Sequence, residues 1–548
     1  MASPPTIEVL SSTRVHPSTP QSTPTTTRLS IIDASVARFT PCGAIWFFPS
    51  PSLLPSSPAP SIAFSPSALK ASLAHTLTSY PQWTGHLHMI PYVPNLPSRA
   101  YTQRYGRLGV HYGSPTDPGV AFVSAHISCT LASALPFHGP RENTTPTRKL
   151  YNCDAMLRED VLLPRTPLAG YTSPASHDDV SVAVQVTQFT CGGAAVGVKI
   201  AHCLADATAL SQFMRDWSAV HAALISNSPL PEIHPVFEPW TLDQRATRDL
   251  DETVPDEEVL KAAYALPAHR YDWWASAEGS GFGPGAHAIP EVLREEPATR
   301  EIAVEGEKMP WGTYDVPAPV SHTLIHYTAA QLDKIGAAAS TPGPEDTREV
   351  NISRHDALVA QIWTLINRAR WPENGDASKA VHANITFGLR TRVSPPLSPS
   401  FLGSPLQIAK VTLPWSVASS STALPSIASS IKRTLNVFTP AAIAAQIYAI
   451  AHELSPQRLW QAFLGREHML VTSWAHTGLY TCDFGTGGAP QYVHPIMPLV
   501  DGCVQIIEGA PIGPITEGKK WYEDGVDVAI YLEREAMARL VKDERIWL

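Results

Sequence analysis

His202 and Asp206 are two residues whose types and spacing could do chemistry together. They stand in His202-Cys203-Leu204-Ala205-Asp206, between an alternating apolar run and an amphipathic one. A neutral imidazole, with a pKa near ~6.5, can take a proton from a hydroxyl or amine at neutral pH and return it. A carboxylate four residues on can orient that imidazole or cap the helix that follows. The same letters also fit a core histidine beside a plain helix cap, and the local pattern leaves both readings open.

A second candidate is Thr472-Ser473-Trp474, then Tyr480, then Asp483-Phe484-Gly485-Thr486-Gly487. Its glycines read as a tight turn with close backbone approach. Neither this segment nor Gly281-Phe282-Gly283 sits in the strand–GxGxxG–helix frame that a phosphate loop needs. No G-x-S-x-G nucleophile elbow occurs. His322 and His326 share one face of a strand without a third ligand nearby, so no metal site is expected. Cys203 points to the opposite side of an extended chain from His202 and cannot form a dyad with it.

These residues need elements to position them. Val180 to Phe189 alternates as a strand, Gly192-Gly193 turns, and Ala194 to Ile200 returns as its hairpin partner. Leu210, Phe213, Met214, Trp217, Val220 and Leu224 mark an amphipathic helix. Leu69, Leu73 and Leu77 mark another over Pro66 to Leu77, with Ser67 as its cap. Residues 1–28, rich in Ser, Thr and Pro, read as a disordered leader, and Pro49 to Pro66 as a surface loop. Residues 29–228 then form an N-terminal lobe. Residues 229–319, where periodicity weakens, form a crossover with local helix. Residues 320–548 form a C-terminal lobe with a helix over Asp356 to Arg370, strands over Met469 to Trp474, Val504 to Glu508 and Val526 to Leu532, and a last helix over Glu533 to Val541. The fold class is mixed α/β in two lobes.

Composition narrows the function. The 548 residues are 44% hydrophobic and 16% charged with a net charge of −9, which supports a sizeable core and argues against nucleic-acid or anionic-membrane binding. The 52 prolines disfavour long helical repeats. Seven scattered cysteines without C-x-x-C predict no disulfide framework. With no signal-peptide pattern and no stretch of about 18 apolar residues, a cytoplasmic protein is expected.

Taken together, the motifs resemble the BAHD acyltransferases. Leu29-Ser30-Ile31-Ile32-Asp33 resembles the family's L-S-x-x-D, and Leu69-Lys70-Ala71-Ser72-Leu73 with Tyr80-Pro81 and Gly85-His86-Leu87 its L-K-x-S-L…Y-P-x-x-G-R-L. Gln185 to Phe189 with Cys191-Gly192-Gly193 resembles the strand leading to the H-x-x-x-D loop, which is His202 to Asp206. Asp356-Ala357-Leu358, Ile362-Trp363 and Arg368-Ala369-Arg370 resemble a second-lobe helix, and Arg390-Thr391-Arg392 with Pro395-Pro396-Leu397 the R-x-R…P-P-L segment. Asp483 to Gly487 falls at D-F-G-W-G. Three departures stand out: Ala207 for the usual Gly, Thr486 for Trp, and Phe401-Leu402-Gly403-Ser404 for Y-x-G-N. They are nearer to fungal members resembling trichothecene acetyltransferases.

The resemblance implies two chloramphenicol-acetyltransferase-like lobes with a channel between them, and a monomer. It implies His202 as general base, with Asp206 paired to Arg390 or Arg392 to hold the loop, and Asp483 as architecture. Arg392, Gly485, Thr486 and Gly487 would lie beside CoA. Acyl-CoA would be a cosubstrate, no cofactor would be held permanently, and a small alcohol or amine would accept the acyl group, with acetyl as the default. The rivals are a condensation-type enzyme using a carrier-protein donor, which typically shows H-H-x-x-x-D-G where this chain has Ala201 and Ala207, and a non-catalytic small-molecule-binding homologue.

Overall fold

The β-branched strand Val182–Phe189 is buried along nearly its whole length and sits inside a six-stranded sheet. That sheet runs, edge to edge, through Ile7–Val15, Val120–Ile127, Val182–Phe189, Ala194–Ile200, Cys42–Phe48 and Tyr492–Pro495. Val120–Ile127 and Val182–Phe189 are parallel and the other neighbours antiparallel. A seven-stranded sheet carries the second lobe: Leu406–Pro414, Ala380–Gly388, His468–Ser473, Cys503–Glu508, Val526–Glu533, Val320–Tyr327 and Lys149–Asn152. The computed structural model describes residues 5–547 except 22, 51–62, 95–99, 136, 138–148, 155, 157–158, 170–178, 295–303, 342–349, 371–375, 514 and 516–517.

Two sequence boundaries are crossed. Lys149–Asn152, from the first half of the chain, pairs with Val320–Tyr327 in the second sheet. Tyr492–Pro495, from the second half, pairs with Cys42–Phe48 in the first. Each lobe thus donates a strand to the other's sheet. Each also has its own core, one around Trp46, Phe47 and Trp217, the other around Leu358, Trp363 and Ile506.

The expected leader is corrected. Ile7–Val15 is an edge strand on Val120–Ile127, and Thr25–Arg28 pairs with Leu108–Tyr112. The edge strand leaves Val9 and Leu10 more than half exposed, so it carries little apolar signal, and its Ser and Thr residues suit a strand as well as a loop. The helix Pro66–Leu77 is as expected, but its N-cap position is Ser65, with Pro66 in the first turn. Most of the Pro49 to Pro66 loop lies outside the described residues.

Three elements position His202. The first is α1, Ile31–Ser35, capped by a reciprocal box between Ser30 and Asp33. The second is the strand Ala194–Ile200, which ends just before a 3₁₀ turn at His202–Leu204. The third is α2, Ala207–Ile225, whose N-cap is Asp206. The crossover is more ordered than its composition suggests. Tyr271–Asp272 pairs with Leu459–Trp460, and Asp272 is locked to Arg458 at 2.7 and 3.0 Å, both residues buried.

Candidate active site

Asp206 caps α2 by accepting from the Ala209 amide at 3.0 Å. Its carboxylate also accepts from Arg390, Nη1 to Oδ2 at 2.5 Å and Nη2 to Oδ1 at 2.9 Å. Arg390 further donates from Nε and Nη2 to the Phe401 carbonyl. This is a bidentate, charge-assisted pair with both residues buried. It ties the His202–Asp206 loop of the first lobe to the segment after Ala380–Gly388 in the second. The backbone repeats the tie, since the Asp206 amide donates to the Gly403 carbonyl at 2.9 Å.

With Asp206 spoken for, His202 finds its partner elsewhere. Its Nδ1 lies 3.0 Å from Ser404 Oγ. Its ring meets Phe39 edge-on at 5.5 Å between centroids. Burial pushes the imidazole below its ordinary 6.5, while a hydrogen bond to its own backbone and the Asp206 charge pull it back up. The result is a neutral imidazole at physiological pH, the protonation state of a general base.

His202 and Asp206 line a cavity of about 870 Å³ between the lobes. Aromatic rings form much of its wall. Trp273 and Trp460 stack at 5.8 Å, and Phe282 meets Trp273 edge-on at 5.6 Å. Arg38 also lines it, donating to the Ala286 carbonyl at 3.0 Å and standing over Trp273. The buried Asp272–Arg458 pair, next in sequence to Trp273 and near Trp460, holds this wall in place.

Other expected site residues lie apart. Gly485, Thr486 and Gly487 do not line the cavity. The Asp483 and Phe484 amides donate to Ser218 Oγ on α2, and Asp483 Oδ1 accepts from the Gly485 amide at 2.9 Å. Thr486 is buried and donates to the carbonyls of Asp483 and Gly488. Phe484 plugs an aromatic cluster with Phe48 and Trp217. The segment therefore closes a turn against α2, which suits the architectural part expected of Asp483. Arg392 also lies outside the cavity lining. It donates to the Leu435 carbonyl at 3.1 Å and stands over the ring of Phe387, which does line it. Sequence reasoning missed Ser404 as the partner of His202 and Asp33 as the partner of the Ser404 amide, although both stand in motif positions. It also missed the aromatic wall, whose members become neighbours only in the fold.

A family model described as the Transferase family matches residues 116–266 and 312–546. Among curated proteins, the chain is 27% identical over 544 residues to the acyltransferase AFT15-1 of Alternaria alternata, covering 98% of this chain and 96% of that one. It is 26% identical over 550 residues to the acyltransferase abl6 of Leptosphaeria maculans, covering 98% and 97%. Among solved structures, F. sporotrichioides TRI101 complexed with coenzyme A and T-2 superposes with a TM-score of 0.58 at 17% identity, covering 95% and 98%. Vinorine synthase superposes at 0.55 with 19% identity, covering 97% and 96%. These two structures share the two-lobed fold.

Proposed function

Because this chain belongs to the BAHD transferase family and is an acyltransferase, we propose that it moves an acyl group, acetyl by default, from acyl-CoA to a hydroxyl or amine of a small specialised metabolite. The observation that carries this reading is His202, neutral and lining a cavity between the lobes. A related fold has been solved with coenzyme A and a small-molecule partner.

In this reading the acceptor's hydroxyl or amine lies against Nε2 of His202. As its oxygen or nitrogen attacks the thioester carbonyl, Nε2 takes the proton. A tetrahedral oxyanion forms and collapses, the carbon–sulfur bond breaks, and the leaving CoA thiolate takes the proton back from the imidazolium. The histidine ends as it began, and no acyl-enzyme forms. Asp206 keeps the loop in shape through Arg390, since its carboxylate is turned to the guanidinium. The aromatic wall of Trp273, Phe282 and Trp460 suits an acceptor with an apolar body. The seven cysteines, all free, suit a reducing compartment, and we place the enzyme in the cytoplasm as a monomer.

Calorimetric titration with CoA, acetyl-CoA and a longer acyl-CoA tests the donor without knowledge of the acceptor. Micromolar binding is expected, and the ranking of the thioesters narrows the acyl group. Absence of binding to all three would overturn the CoA-dependent reading.

A further inference from the structure

We propose that Ser404 is a positioning residue for His202: its hydroxyl accepts from Nδ1–H and so keeps the lone pair on Nε2, while the buried Asp33 carboxylate fixes the serine's backbone. The proposal rests on the reading of His202 as the base.

The constellation joins three segments far apart in sequence. Ser404 is wholly buried, and its Oγ lies 3.0 Å from Nδ1. Its amide donates to Asp33 Oδ1 at 2.6 Å. Asp33, also wholly buried, has its other oxygen held by Ser30, from Oγ at 2.6 Å and from the amide at 3.3 Å. Gly403 completes the clamp. Its φ is +121°, and a Cβ there would lie 2.8 Å from Asp33 Oδ1. Its carbonyl accepts from the Asp206 amide, so Ser404 is held to α1 on one side and to the His202 loop on the other.

In a neutral imidazole one nitrogen bears the proton, and the hydrogen bond made by one nitrogen sets the role of the other. A base working through Nε2 must carry its proton on Nδ1. The Ser404 hydroxyl can take either role, and as an acceptor from Nδ1–H it holds the ring in the tautomer that leaves Nε2 free. Asp206, the usual candidate for an orienting carboxylate, is occupied by Arg390. The orienting group is a neutral hydroxyl, with the carboxylate one residue further back.

The test reads the lone pair on Nε2 directly and needs no acceptor. The full-length protein is treated with diethylpyrocarbonate from pH 5 to 8, and carbethoxylation at His202 is followed by peptide mass spectrometry, with the exposed His234 as internal reference. In Ser404→Ala and in Ser404→Cys, which keeps the volume, the plateau rate at His202 falls about tenfold, the size of one lost hydrogen bond. The apparent pKa at that site falls too, and His234 is unchanged. A wild-type rate at His202 in either folded variant overturns the proposal, as does failure of His202 to react in the unsubstituted protein. If His202→Ala instead retained full turnover, the base reading would fail while the modification result stood on its own.

Discussion

Asp206 and Arg390 lie 184 positions apart and meet through two hydrogen bonds in a buried fork. The carboxylate that sequence spacing offers to His202 is thus used to fasten one lobe to the other. Removing one member of such a pair leaves a buried charge uncompensated, at a cost of about 3–5 kcal/mol. Arg390→Ala is expected to lower the unfolding free energy read from urea melts by that much and to reduce soluble yield. Asp206→Asn retains an oxygen for the α2 cap and should cost less, but should still be less stable than the parent. A wild-type urea midpoint for Asp206→Asn together with lost turnover would show that Asp206 orients the base.

His202→Ala separates chemistry from structure. The side chain sits at the cavity wall and anchors no core, so melting temperature and acyl-CoA affinity should be retained. Turnover should fall by about 10²–10⁴, the range for a lost general base. A purified variant turning over near the parent rate would refute the assignment.

How legible all this was in the sequence depends on distance along the chain. Val182–Phe189 announced itself because β-branched residues repeat with the period of a strand, and α2 because its apolar residues follow the helical period. The partnership of Asp206 with Arg390 was reachable through motif positions alone. Ile7–Val15 was hidden because an edge strand with one face in water needs few apolar residues. Trp273 and Trp460 gave no local signal, since their stacking depends on Asp272 and Arg458 meeting across 186 positions. Ser404 showed only as a departure from a pattern. Its contact with His202 requires the two lobes to be assembled.

The turn at Asp483 to Gly487 gives a direct check on whether those glycines serve binding or packing. Gly485 has φ +72°, and a Cβ there would stand 2.5 Å from Ile225 Cδ1 on α2. Gly485→Ala combines an unfavourable backbone conformation with overpacking, together on the order of 2–4 kcal/mol. Its melting temperature should fall while the Kd for CoA, measured well below that temperature, stays within error. A stable variant with weakened CoA affinity would return the turn to the binding site.

His269 and His468, both buried, and the half-buried His382 form a group with ring centroids 4.7 to 5.3 Å apart. Burial is the main cause of their depressed pKa values, helped by Lys410 and by one another. His382 falls to about 4 and His468 to about 2, while His269 falls lower still. A group whose folded pKa lies below its unfolded 6.5 binds more protons when unfolded, so its contribution to stability is lost as pH falls below 6.5. Asp33, raised to about 6, and Asp243 and Glu453, raised to about 7, act in the opposite sense over the same range. The wild-type profile therefore mixes two opposed slopes, and a variant measured against the parent isolates one. His269 is the one to change, because neither of its buried ring nitrogens has a hydrogen-bond partner among the described residues and the ring stacks on Tyr271 at 4.4 Å. His269→Phe keeps the stacking and removes the titration. It should be at least as stable as the parent at pH 7. Its advantage should grow by about 1.4 kcal/mol for each pH unit below 6.5. Urea melts of both proteins at pH 7, 6 and 5 measure this, and a difference that stays constant with pH would mean that His269 titrates alike in the folded and unfolded protein.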